Sequence, residues 1–176
     1  MRRLSFWIIL LFLTAELIAE VYFGLLALTL QRKYLSKPAF GILAPTVWIQ
    51  VAPISVIPVS LLNLAEQLPV PVANNGLLLV GLLFWGFGVW WVVMASLLTL
   101  SARAAGQLPF ALSWWGFTFP IGAFVAESLR LSKLLGWSTV FGVGVATWLL
   151  LCFLWFVTAI RTARGVASGA IFQPHP

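Results

Sequence analysis

The sequence predicts an all-α integral membrane protein with about five transmembrane helices. Apolar residues make up 62% of its 176 positions and charged residues 8%, where soluble domains average roughly 45–50% and about 25%. A water-soluble molecule of this size needs polar groups over most of its surface, and this chain cannot supply them. The apolar residues also fall into runs of about 20 or more, the length of helix that crosses a hydrocarbon layer about 30 Å thick. A soluble enzyme is excluded, and so is a disordered chain, which requires low hydrophobicity.

The first run, Leu4–Leu30, follows Arg2 and Arg3. A basic pair before an apolar stretch resembles the start of a signal peptide. Here the stretch continues past Glu16 and Glu20 with no small-x-small cleavage site, so it reads as a retained helix. Glu16 and Glu20 stand four apart and share a face. They form a candidate protonatable pair facing a cavity; the alternative is a shifted helix with Glu20 near a wet interior.

After the polar break Gln31–Pro38 comes Phe40–Leu64, which carries Pro45, Pro53 and Pro58 with Gln50 and Asn63. A proline inside a helix removes a backbone donor, clashes with the carbonyl four residues back and bends the axis. In a bilayer the freed carbonyl needs a partner or water in a cavity, so proline-broken helices tend to line paths. The bland alternative is that proline is simply commoner in membrane helices than in soluble ones. The segment Glu66–Gly76, rich in Pro and Asn, reads as a turn.

Gly76–Leu100 and Gly136–Ile160 read as lipid-facing spans, like the first. Tryptophans decorate them, and Gly81, Gly86, Gly88, Gly142 and Gly144 offer small faces for close helix contact. Between them, after a break around Arg103, Gly106 and Pro109, Phe110–Leu131 is the second broken span, with Pro120 near Thr118 and Gly122. Glu127 and Arg130, three apart near its end, are expected to pair. Ser132 and Lys133 mark the last break. Short connections make consecutive helices antiparallel neighbours within one transmembrane domain, residues 1–176.

The scarcities exclude most chemistry. There is no Asp, a single Cys (Cys152), and a single His at the penultimate position, His175. A Ser-His-Asp site, a cysteine zinc site and a disulfide are all out of reach, and no phosphate-binding glycine loop occurs. The reading is a non-enzyme with no metal and no cofactor. The net charge of +6 is scattered in ones, twos and threes, which suits membrane flanks and not nucleic acid. With the C-terminus cytoplasmic, Arg32, Lys33, Lys37, Arg103, Arg161 and Arg164 lie inside and Arg2, Arg3, Arg130 and Lys133 outside. The positive-inside bias favours that orientation in a cell membrane.

The run Leu108-Pro109-Phe110-Ala111-Leu112-Ser113-Trp114-Trp115-Gly116-Phe117-Thr118-Phe119-Pro120 resembles the WWAFTFP signature of the tellurite-resistance/dicarboxylate transporter family. Gly116 stands where Ala is usual. Pro45-Thr46-Val47-Trp48-Ile49-Gln50-Val51-Ala52-Pro53 is similar to the PxxWIQxxP segment that precedes it in that family. The resemblance implies a ten-helix fold of five hairpins, with odd helices around a pore and even ones outside. This chain looks like helices six to ten. It also implies trimers with one pore per subunit, a cytoplasmic C-terminus, and transport of anions such as C4-dicarboxylates (malate among them), tellurite or sulfite.

On that resemblance the second and fourth spans wall a largely uncharged path, and the pathway residues are Pro45, Trp48, Gln50, Pro53, Phe117, Thr118, Phe119 and Pro120. The expected partners are membrane lipid, a small anion substrate and either further copies of the chain or a complementary N-terminal half. The competing expectation is a half-length membrane subunit or relic that transports nothing by itself.

Overall fold

The computed structural model describes residues 41, 43–65 and 71–169. The first expected span lies outside them, and with it Glu16 and Glu20. Every described element is helical. A 3-10 segment, Ala44–Gln50, leads into α1, Val51–Ala65. Helix α2 is Pro71–Ala104; a second 3-10 segment, Leu112–Phe117, leads into α3, Thr118–Leu135; and α4 is Ser138–Ala167.

The two broken spans do not break as the sequence suggested. A mid-helix kink at Pro120 was expected, and a change of helix type is found. The tighter 3-10 winding ends at Phe117, which places Pro120 third in α3. Pro53 likewise stands third in α1. In the first turn of an α-helix a missing N–H breaks no intrahelical bond and there is no preceding carbonyl to strike. Starting the α-helix afresh just before each proline therefore avoids the cost of an interior one. Among the prolines of the described residues, Pro58 alone lies in an α-helix beyond its first turn.

Two other boundaries move. Helix α2 begins at Pro71, inside the segment read as a turn, because proline at the first helical position is pre-set for helix and gives up only an orphan donor. Helix α3 ends at Gly136, whose φ of +67° is left-handed and whose N–H donates to the Ser132 carbonyl at 2.9 Å. This is the glycine C-terminal cap, and it produces the tight turn into α4.

Three of the described stretches are long and apolar enough to cross a membrane: Ala44–Asn63, Gly76–Ala104 and Ser138–Ala167. The span expected over Phe110–Leu131 is not among them. Its α-helical part is 18 residues long and carries Glu127, Arg130 and Lys133.

Contacts define the arrangement. Helices α1 and α2 form one antiparallel pair, with Gly81 against Leu62 and Gly88 against Ile54. Helices α3 and α4 form another, with Gly144 against Ser128 and Gly122 near Leu151. The pairs meet through α1 and α3, which run parallel: Trp48 packs on Phe117 at one end, and Leu62 and Leu131 share a cluster at the other. The Ala44–Asn63 stretch is far more buried within the protein than either of the other two. The helices flanking the central pair thus keep most of their apolar surface outward, as lipid contact requires.

Of the glycines of α2, Gly88 leaves the least room against the central pair. A Cβ there would lie 2.7 Å from the ring of Phe124, a side chain with no exposed surface. An aromatic ring held on all sides cannot yield as a flexible chain end would. Gly88→Ala is therefore expected to destabilise by about 1–3 kcal/mol despite alanine's better helix propensity, read as a lower unfolding midpoint in detergent. Gly86, with nothing near its would-be Cβ, is the matched control.

Candidate functional site

The two 3-10 segments lie side by side at one end of the parallel pair. The carbonyl of Pro45 stands 3.7 Å from the position a Cβ on Gly116 would occupy. Trp48 and Phe117 meet edge to face with centroids 5.8 Å apart, and Phe117 meets Trp114 the same way at 5.7 Å. Trp48 donates its Nε1–H to Thr99 Oγ1 at 2.9 Å, and Thr99 donates in turn to the Ala95 carbonyl. Trp91 donates to the carbonyl of Val47, inside the first 3-10 segment, at 3.0 Å. One indole donor leaves the segment for α2 and the other arrives from α2, and together they tie down a segment whose own ladder is poorer than an α-helix.

The second segment is fixed similarly. Trp114 donates to the Pro109 carbonyl, Trp115 to Thr162 of α4, and the Thr118 hydroxyl to the Trp115 carbonyl. The Arg161 guanidinium sits over the Trp114 ring at 5.1 Å and over Phe110 at 5.8 Å. That is cation–π distance. Arg103, Arg161 and Arg164 all fall in the closing turns of helices that end on this side, so this end is basic.

The eight residues assigned to the pathway divide. Pro45, Trp48, Phe117 and Pro120 are buried in the seam between the parallel helices. Gln50, Pro53 and Thr118 are half-buried. Phe119 is 68% exposed and, with Thr118, Leu151, Cys152, Trp155 and Phe156, lines an open groove of about 540 Å³ between α3 and α4. The open face of α1 and its lead-in carries Ile49, Val56, Ser60 and Asn63; that of α3 carries Phe119, Ala126 and Leu129. No charged side chain occurs on Ala44–Ala65.

Sequence reasoning missed two features. The Arg161–Trp114 contact joins residues 47 positions apart in number and leaves no local signature. The second is Glu127. The expected pairing with Arg130 is not made through a hydrogen bond: Glu127 has no exposed surface, and neither carboxyl oxygen has a hydrogen-bond partner. The spacing rule judges only one helix, and Glu127 turns its side chain from that helix's surface towards α1.

Comparison with known proteins places this arrangement. No solved structure matches the chain significantly. Two uncharacterized transporters of Methanocaldococcus jannaschii are each 37% identical, over 88% and 87% of this chain and 45% of their own length. A sulfite efflux pump of Arthroderma otae is 27% identical over 53% of this chain and 24% of its own. The chain thus spans about half the length of the curated relatives it matches. The voltage-dependent anion channel family model matches residues 4–163. With that match over most of its length, the chain belongs to the voltage-dependent anion channel family, the group its WWGFTFP and PTVWIQVAP motifs resemble.

Proposed function

We propose that the chain takes part in moving a small anion across the cell membrane, with the open faces of α1 and α3 as its share of the pathway wall. The observation that carries this reading is the parallel, central pair of helices, each entered through a 3-10 segment, in a chain of an anion channel family. Pathway walls in membrane proteins are where irregular backbone is tolerated, because water or protein can satisfy it. The described part of α1 is uncharged, so attraction of the anion falls to the basic end formed by Arg103, Arg161 and Arg164 and to oriented backbone donors. The side chains supply shape and dielectric; no bond of the substrate changes.

The substrate is a small oxyanion. A C4-dicarboxylate such as malate is the first choice, with tellurite and sulfite as the others; for sulfite there is also the similarity to a fungal sulfite efflux pump. A second reading has its own support. The chain spans 45% of the length of its archaeal relatives, and in this reading a complementary N-terminal half, or a trimer of such assemblies, completes the pore. Anion flux into liposomes, measured for the chain alone and with a complementary five-helix chain, tests both. Flux only in the combined preparation supports the split pore, and flux in neither overturns transport.

Two further outcomes are expected. Cysteine at Gln50 or Thr118, in a Cys152→Ser background, should react with small water-soluble thiol reagents faster than cysteine at Val89 or Leu149. The reverse order would remove α1 and α3 from the pathway. A reporter fused after Pro176 should read as cytoplasmic, since six of the ten basic residues then lie inside.

A further inference from the structure

Glu127 stands in the middle of α3, about 13 Å by helical rise from either end. Its side chain is fully buried against α1, where the Ser55 hydroxyl faces it. Ser55 is itself fully buried, and neither its Oγ nor either carboxyl oxygen of Glu127 has a hydrogen-bond partner. Three polar atoms are thus sealed together, unsatisfied, in the contact between the two central helices. Buried polar atoms are rarely left so, and each such case calls for an explanation.

Among the described residues, no fixed counter-charge lies across the contact. Helix α1 carries no titratable group among its described residues. On α2, Arg103 lies 18 residues beyond Trp85, which reaches this level through Ser128, so it is roughly 27 Å away along the axis. On α4, Arg161 lies 17 residues beyond Gly144, which touches Ser128, roughly 25 Å away, with Arg164 farther still. Cys152 of α4 faces the groove beside Phe119. On α3 itself, Arg130 is half-buried one turn on and Lys133 is exposed. The other polar side chains nearby are committed: Ser128 donates to the Phe124 carbonyl and accepts from Trp85, and Thr147 donates to carbonyls of its own helix.

We propose that Glu127 is a proton-binding site whose occupancy sets how tightly α1 packs on α3. With the proton bound, the carboxyl is neutral, can donate to Ser55, and is compatible with the sealed contact. With the proton released, the carboxylate needs water or a cation that the closed contact does not admit, so the two helices must part enough to hydrate it. The inference rests on the transport reading for its consequence: if α1 and α3 wall the path, proton binding at Glu127 makes anion flux depend on pH.

The test is chosen to work without flux. In the full chain with Cys152→Ser, reconstituted in lipid vesicles, Ser55→Cys is labelled with a small water-soluble methanethiosulfonate from acid to alkaline pH. The thiol's own ionisation raises the rate in every variant, so the comparison is with the same reporter carrying Glu127→Gln, an amide of equal shape that cannot titrate. Labelling should rise severalfold more steeply with pH when Glu127 is present, and Glu127→Asp should retain the steep response. An equal rise in the Glu127→Gln chain overturns the proposal. If Glu127→Gln fails to reach the membrane, Glu127→Met takes its place; if both neutral variants fail while Glu127→Asp folds, the fold requires the charge and the proposal is wrong. Failure of the liposome flux assay with this pH response intact would reject transport and leave the proton site standing.

Discussion

Phe124→Ala is expected to produce the largest loss of stability of any single truncation in the described core, about 3–5 kcal/mol. The ring has no exposed surface and joins two helices. It projects from α3, stacks on Trp85 of α2 at a centroid distance of 6.5 Å and an interplanar angle of 10°, and lies against the bare backbone at Gly88. The Trp85 indole donates to Ser128 on the next turn of α3, so the ring is held in place by a bond its own helix provides. Removing it leaves a void bounded by rigid groups, which collapse poorly, and cavity cost grows with the volume that stays unfilled. The unfolding midpoint in detergent should drop by on the order of 10 °C. A drop no greater than that of an exposed control such as Phe153→Ala would mean that α2 does not dock on α3 through this ring.

Gly88 and Phe124 also show what could be read in advance. That Gly88 belongs to a small face was legible, since glycine in an apolar helix is unfavourable unless something needs the room. Which ring occupies the room was not, because Phe124 is 36 positions away. Three of the five expected spans were legible from apolar length, since a bilayer imposes that length whatever the packing. The prolines announced breaks in the right two spans but not their form. Proline forbids an α bond at one position and says nothing of whether the chain kinks or restarts after a 3-10 turn.

Glu127 escaped for a different reason. Its spacing to Arg130 satisfied a rule for isolated helices, whereas the group that faces it, Ser55, lies on another helix and carries no mark in the sequence. The aromatic seat of Arg161 was hidden likewise: Phe110 and Trp114 belong to the signature, and the cation arrives from the far end of α4. Patterns within one element predict which way it faces and how long it is. They do not predict what is brought to it.

The paired variants Phe117→Ala and Phe119→Ala are expected to part company, the first losing stability and the second changing flux. Both residues stand beside Pro120, yet positions two apart on a helix of 3.6 residues per turn point to nearly opposite sides. Phe117 is 1% exposed and wedged edge to face between Trp48 and Trp114. Its truncation empties the seam between the 3-10 segments and should cost about 3–5 kcal/mol. Phe119 is 68% exposed at the mouth of the groove with α4. A side chain so exposed contributes little to the fold, so Phe119→Ala should shift stability by no more than about 0.5 kcal/mol. If it borders the anion path, losing the ring widens a hydrophobic constriction, and flux in a transport-competent assembly should rise severalfold with weaker selectivity between anions. Phe119→Trp should do the opposite. Both quantities must be taken on the same preparations, with flux expressed per folded protein. Unchanged flux in Phe119→Ala and Phe119→Trp alike would assign that ring to lipid or to a neighbouring subunit, and would take the groove face of α3 out of the pathway.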